Sequence, residues 1–451
     1  MGDRDGGKDA IGDEAQSCRS APSPSATAEA GAAVPEPMCL GAASANAGPN
    51  ALDAPSENIS RMSDPAGSLD IHLRRSASGL VCAIGSTRPI GAASAFIGLS
   101  PAEAAERLPL LYAICARAQA GACACALEQA QGVVPSATTR IRRQAAIAAE
   151  TIREHLWRIL LDWPALLGET PDRSGMAAVL GLSNRVLGLL DPAGDLFEPG
   201  AESAAASPQL GALVADLTEL LTRRIYGASP ESWLSEVAEA SAFERWCRVS
   251  DTRAARLLRS LLDSGEASLG QTPVAPLPGM PDEELISCLS GSAAADFIAR
   301  PTWRGHPCET SPFTRRLAMP LIASLVERHG PGLLPRLAAQ LVEVAVRLRR
   351  LTPDPAGPDP DPPTRPAGAA GLGLGRAPAA RGQLVHLVRV DGGRVRDYRI
   401  LAPTEWNFHP RGLVAQGLVA LSGSSDTALR RQAELLITAI DPCVAFALTL
   451  S

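Results

Sequence analysis

The chain offers ten cysteines and six histidines among 451 residues. A thiolate is a soft donor suited to low-valent iron and nickel, and it is also a nucleophile. Cys443 stands out because it follows Asp441-Pro442 directly after a helical pattern, eight residues from the last residue, Ser451. Taken alone it reads as a small hydrophobe in a docking segment. Cys115 lies in LLYAICARAQ (110–119). Cys123 and Cys125 are two apart, so on a helix they face nearly opposite sides and at least one must pack. Cys18 and Cys39 fall in a region of low complexity. In TEWNFHPRG (404–412), Trp406, Asn407 and His409 are expected to pin a tight loop, because buried indole and amide groups need partners. For His409 a partner-facing role stays open. His155 and His386 are expected to hydrogen-bond inside the fold rather than bind metal. Gly371-x-Gly373-x-Gly375 precedes no clear helix and is not read as a dinucleotide loop.

Composition narrows the class. Apolar residues make up 46% and charged residues 20%, enough apolar material for a large core. All but one of the 42 basic residues are arginine, Lys8 being the exception. A net charge of −6 with an isoelectric point near 5.7 argues against a nucleic-acid binder. No run of about 18 apolar residues predicts a spanning helix, and the first residues do not read as a secretory signal. The cysteines are too sparse and irregular for a disulfide scaffold. The expectation is a soluble protein of a reducing, cytoplasmic compartment.

The elements that must carry these residues follow from periodicity. Residues 1–66 (Ala, Gly, Ser, Pro) read as a disordered tail. SLDIHLRR and GLVCAIG alternate around Ser78-Gly79, predicting a hairpin over 68–85. Ser100 and Glu103 form a capping-box signature, opening alanine-rich helical sequence to about 165. Within it Ala145, Ala148, Ile152, Leu156, Ile159 and Trp163 mark one face. Helices are predicted at 208–226, 230–247 and 251–264. Another follows Pro335, with Leu334, Leu337, Leu341, Val344 and Leu348 on one side. The proline-rich stretch from 352 reads as an extended insertion reaching 376. Asp391-Gly392-Gly393 predicts a second hairpin, and 426–440 a last helix. The arginines at 140, 142 and 143, and at 347, 349 and 350, read as solvated helix faces. The resulting picture is one body, 67–351, completed by 377–451, mainly α with small β elements.

Several segments resemble one family in that family's order. PTEWNFHPRG (403–412) resembles the PTTWNxxPRD motif of nickel-iron hydrogenase large subunits. Arg381-Gly382-x-Leu384-x-His386 is similar to its RGxLxHW stretch. Gly305-x-Pro307-x-Glu309-Thr310-x-Pro312-x-x-Arg315 is similar to its GxPxExGPLAR segment. Asp441-Pro442-Cys443 resembles the start of its DPCxxCxxH motif. Asp70 lies in a fainter likeness to its IEGH, and EHLWRILLDWP (154–164) resembles the helix after its first cysteine motif. The resemblance implies a reduced hydrogenase large-subunit fold.

The departures shape the functional expectation. That family holds nickel among four thiolates, two of them shared with iron. Here RxCGxCxxxH maps onto Leu110–Gln119, with Tyr112 at the first cysteine and Cys115 at the second. Leu110 replaces the arginine and Gln119 the histidine. In the last motif Phe446 replaces the second cysteine and Thr449 the histidine. Tyr112 and Phe446 are expected to fill space without donating, and nickel is not expected. Cys115 and Cys443 become possible ligands of a single iron fragment, with Arg381 facing its diatomic ligands. Glu309, Trp406, Asn407, His409, Pro410 and Arg411 are expected to support the motif structurally. The chain ends two residues after Thr449, so no removable extension is expected.

These departures resemble the HupK-type accessory proteins of uptake hydrogenases. That resemblance implies a non-catalytic scaffold or chaperone in nickel-iron hydrogenase maturation. Its cargo would be the iron–cyanide–carbonyl unit or the immature large subunit, and its partners that subunit and a small maturation chaperone. The alternative is a divergent catalytic large subunit.

Overall fold

The computed structural model describes residues 66–203, 207–352 and 370–451, all within one compact unit, Met62–Ser451. The expected tail, apart from Ala66, and residues 353–369 of the expected insertion lie outside the described residues.

The first hairpin pairs β1 (Ser68–Ser76) with β2 (Gly79–Ser86). Helix α1 (Pro101–Leu111) opens on the anticipated capping box, Ser100 N donating to Glu103 at 2.8 Å. There follow α2 (Ala116–Gln131), α3 (Ala137–Trp157), a π-helical turn at Arg158–Asp162, α4 (Trp163–Leu166) and α5 (Arg173–Leu190). Next come α6 (Gln209–Leu221), α7 (Pro230–Glu236), α8 (Ala240–Val249) and α9 (Arg253–Asp263). The segment predicted as one helix over 230–247 is thus two, capped separately.

Short elements then alternate: β3 (Ala275–Pro276), α10 (Asp282–Leu289), α11 (Ala294–Ala299), β4 (Cys308–Glu309), α12 (Pro312–Arg316) and α13 (Pro320–His329). The long α14 (Leu333–Leu348) precedes β5 (Leu372–Ala379), β6 (Gly382–Asp391) and β7 (Arg394–Leu401). The chain closes with α15 (Pro403–Asn407), α16 (Leu413–Val419), α17 (Asp426–Ile440) and β8 (Ala445–Leu450).

The helices share a large core in which the predicted faces of α3 and α14 are buried, Ile152, Leu156, Ile159 and Trp163 at 0% exposure. Two three-stranded sheets flank it, ordered β2-β1-β8 and β5-β6-β7. The second hairpin turns through Gly392 and Gly393, both with positive φ, as a tight two-residue turn requires.

Three further expectations are corrected. The insertion does not reach 376, because β5 begins at Leu372. Its glycines are packing devices: a Cβ on Gly373 or Gly375 would stand 1.9 Å from the carbonyl oxygens of Ala126 or Ala122 on α2. Arg142, Arg143 and Arg347 are not solvated. Arg142 donates to Leu190 O at 2.6 Å, Arg143 to Glu128 at 2.9 Å, and Arg347 to Glu343 at 2.8 Å. Phe446 does not fill an inner pocket: it lies on β8, opposite Leu69, and is 37% exposed.

Candidate functional site

The first sheet builds the site from both ends of the chain. β1 is its central strand, with β2 antiparallel on one side and β8 parallel on the other. Leu69 pairs with Ser86 and Ser68 with Ala445. Arg88, two residues past β2, and Cys443, two residues before β8, are therefore delivered to the same end of β1. There Arg88 Nη1 donates to Cys443 Sγ at 2.9 Å, and Arg88 Nε to Glu405 Oε1 at 2.7 Å. Thr404 Oγ1 lies 2.9 Å from the same sulfur. Both side chains of the Arg88–Glu405 pair are largely buried, at 13% and 8% exposure. Burial disfavours the charged guanidinium, but Cys443 and Glu405 reverse this and raise the Arg88 pKa, so Arg88 is a fixed cation.

Cys115 reaches this point from the other side. α1 ends at Tyr112, a short 3-10 turn follows, and Cys115 is the N-cap of α2. Burial pushes its thiol up to about 12, and the charge of Cys443 pushes in the same direction, so the two sulfurs are electrostatic neighbours. Tyr112 is raised to about 12, first by burial, and feels Arg88, Cys115, Glu405 and Cys443. Tyr112 thus lies in the same electrostatic neighbourhood, whereas Phe446 is carried on β8 and partly exposed. Glu150 of α3 accepts from the N–H groups of Arg117 and Ala118, at 2.7 and 3.1 Å, closing the first turn of α2 behind Cys115. Burial still raises Glu150 to about 7.

A relay of polar groups orients Cys115. Gln119 Nε2 donates to Cys115 Sγ at 3.7 Å, leaving Gln119 Oε1 to accept from His386 Nε2 at 2.8 Å. His386 Nδ1 then accepts from the Tyr398 hydroxyl at 2.9 Å. This assignment requires a neutral imidazole, and burial lowers His386 to about 3.

Arg381 holds the segment before Cys443. It donates to Glu154 at 3.2 Å and to Asp441 at 3.3 Å, while Arg158 Nε donates to Asp441 at 2.7 Å. The π turn at 158–162 aims Arg158 there. Asp441 has φ 61°, a left-handed conformation costly for a non-glycine residue, held in place by its two arginines. Burial opposes its charge, but Arg158 and Arg381 win and its pKa is lowered. His155 lies beside this group. It is buried, both ring nitrogens lack hydrogen-bond partners, and its pKa is lowered to about 4 by burial. The expected internal hydrogen bonds of His155 are therefore not made.

The remaining motif residues make contacts within the fold. Asn407 Oδ1 accepts from Thr310 N at 2.9 Å, and its Nδ2 donates to Thr310 O at 2.7 Å and Arg381 O at 3.3 Å. Asn407 thereby staples two motifs together. Trp406 meets Phe297 edge-on at 6.2 Å. His409 is buried and its Nδ1 accepts from Arg411 N at 3.0 Å, so it does not face outward. Pro410 borders a cavity of about 380 Å³ together with Arg88, Arg300, Thr404 and Glu405. Glu309 is engaged by Arg336 at 2.8 Å and Ser311 at 2.7 Å. Asp70 sits within β1, opposite Gly85 and Ala447.

Sequence reasoning missed Arg88, Thr404, Glu405 and Glu150. Thr404 and Glu405 stood inside a motif already singled out. Arg88 carries no local signal: only strand order brings it to Cys443.

Among the described residues no three His, Cys, Asp or Glu side chains gather as a metal-holding group. A guanidinium already contacts Cys443, and arginines are good donors to anionic groups.

The Nickel-dependent hydrogenase family model matches residues 352–448. The chain is 32% identical to the hydrogenase expression/formation protein HoxV of Cupriavidus necator over 361 residues, 77% of this chain and 87% of that protein. It is 32% identical to HupK of Azotobacter vinelandii, covering 80% and 91%. In structure it resembles a variant of the [NiFeSe] hydrogenase from Desulfovibrio vulgaris Hildenborough, with TM-score 0.55 at 15% identity, covering 80% of this chain and 92% of that one. Among the described residues no helix is long and apolar enough to cross a membrane. With this extent of likeness, the chain belongs to the family of hydrogenase expression/formation proteins that includes HoxV and HupK.

Proposed function

We propose that this protein is a non-catalytic accessory factor of nickel-iron hydrogenase maturation, holding an iron–cyanide–carbonyl unit between Cys115 and Cys443 before its transfer. The reading is supported by Cys443 held by Arg88 and Thr404 at one end of β1, with Cys115 within electrostatic reach of it, in a hydrogenase-like fold. The relatives' names, hydrogenase expression/formation proteins, support the accessory role. Both thiols would enter as thiolates. The high pKa of Cys115 means that loading releases its proton, so uptake strengthens as pH rises.

Transfer requires a receiving protein at the mouth of the site. Leu110, Leu111 and Ile114, beside Cys115, are 80, 50 and 41% exposed. An apolar rim of this kind suits docking of the immature large subunit. The test is complementation: a strain lacking this protein, supplied with Cys115→Ser or Cys443→Ser, should mature its hydrogenase at least about tenfold less than with the unaltered chain. That factor is about 1.4 kcal/mol in a transfer equilibrium. Full maturation by both variants would leave a metal-free chaperone. Stoichiometric nickel with hydrogen-dependent dye reduction would instead make the protein a diverged catalytic subunit.

A further inference from the structure

We infer that Arg88 is a built-in cation that stands where a divalent metal would otherwise bridge Cys443 and Glu405, and that it makes the site reject bare dications. One guanidinium contacts both candidate donors, Cys443 Sγ at 2.9 Å through Nη1 and Glu405 Oε1 at 2.7 Å through Nε. The second oxygen of Glu405 is buried without a partner, so an unused acceptor remains at the same place. Thr404 Oγ1 adds a further polar atom at 2.9 Å from the sulfur.

The exclusion is electrostatic as well as steric. An incoming dication meets a fixed positive charge in a water-poor site, where such repulsion is strong. Moving the buried guanidinium aside would strand its two partners, and arginine does not deprotonate to ease the conflict. An iron unit whose charge is already cancelled by bound cyanide escapes this repulsion, and its cyanide nitrogens would accept from the same donors. Arg88 would thus select the class of metal species admitted: charge-compensated metal cyanides over aqueous dications. This assignment deepens the carrier reading, but its exclusion half stands on the apo protein alone.

The experiment uses the full chain, purified without metal, and cobalt(II) as the probe. Thiolate-to-cobalt charge transfer in the near ultraviolet reports sulfur ligation. The unaltered protein should show no such band dependent on Cys443. Arg88→Gln should gain one equivalent of cobalt with the band, binding at least about a hundredfold more tightly. Arg88→Met serves as a second variant should glutamine impair folding, checked by circular dichroism. Adding Cys443→Ser to either variant should remove the gain, separating this site from the other cysteines. The inference is overturned if the unaltered protein already binds cobalt through Cys443, or if neither folded Arg88 variant gains it. A protein that carries no iron in cells would sink the carrier reading yet leave the cobalt result standing.

Discussion

Two of the buried charge clusters among the described residues are built differently. On α14, Glu343 receives Arg315 and Arg316 at 2.5 Å and Arg347 at 2.8 Å, and Glu309 receives Arg336 and Ser311. Arg336 also lies 4.8 Å from the Phe313 ring and donates to Pro331 O and Gly332 O. Every carboxylate oxygen there is engaged. Around Cys443 the pairing is incomplete. Glu405 Oε2, Asp441 Oδ2 and both nitrogens of His155 are buried without hydrogen-bond partners, and Arg381 Nε lies 3.2 Å from Asp441 Oδ2 outside hydrogen-bond alignment. A saturated cluster stabilises the fold and has nothing left for a ligand. An under-paired cluster costs stability, because unpaired buried polar atoms forfeit their hydration. It persists where a further group is to be received.

The comparison would break first at Glu343. Replacing it with alanine strands three arginines, so we expect a loss of about 3–5 kcal/mol in urea unfolding, by the cost of removing one partner from a buried ion pair. A loss below about 1 kcal/mol would mean that the α14 cluster is not a structural pin.

His155 gives the next effect and a pH signature. Its folded pKa is lowered to about 4 from 6.5. The unfolded chain takes up a proton below pH 6.5 and the folded protein only near 4, so stability contributed by the neutral ring falls as pH falls through that window. Relative to His155→Leu, the unaltered protein should lose roughly 3 kcal/mol between pH 6.5 and 4. Parallel stability curves for the two proteins would place His155 in contact with solvent or a partner.

The smallest stability effects belong to the site itself. Cys443→Ser keeps a small polar atom beside Arg88 and should shift unfolding by less than about 1 kcal/mol, and Glu405→Gln, which removes one charge but keeps an oxygen to accept from Arg88, should cost less than Glu343→Ala, which strands three arginines. If either change destabilised the protein as much as Glu343→Ala, the two clusters would be equivalent and the contrast would fail.

Much of this was legible in the sequence, and the reasons differ by region. The hairpins, the Ser100 capping box and the faces of α3 and α14 follow from local rules, and all are present. Cys115 and Cys443 stand out by motif; strand order places Cys443 beside Arg88, while Cys115 arrives at the start of α2. What local reading missed depends on tertiary placement. Arg142, Arg143 and Arg347 look like solvated charges until their carbonyl and carboxylate partners, far along the chain or on a covered helix face, are seen. Gly373 and Gly375 mimic a phosphate loop, but they let a strand touch the backbone of α2. Phe446 was assigned to a pocket because the motif puts a ligand there. The β8 register turns it outward instead. Arg88 was invisible because its partners lie 355 and 317 residues away.

The central claim is that Cys115 and Cys443 together hold an iron unit bearing diatomic ligands. It is tested most directly by infrared spectroscopy of the protein purified anaerobically from cells expressing the maturation machinery. The account predicts cyanide and carbonyl stretching bands with about one iron per chain, both lost in Cys115→Ser and in Cys443→Ser, as expected where two thiolates share one metal. A spectrum without those bands, from protein without iron, would contradict it.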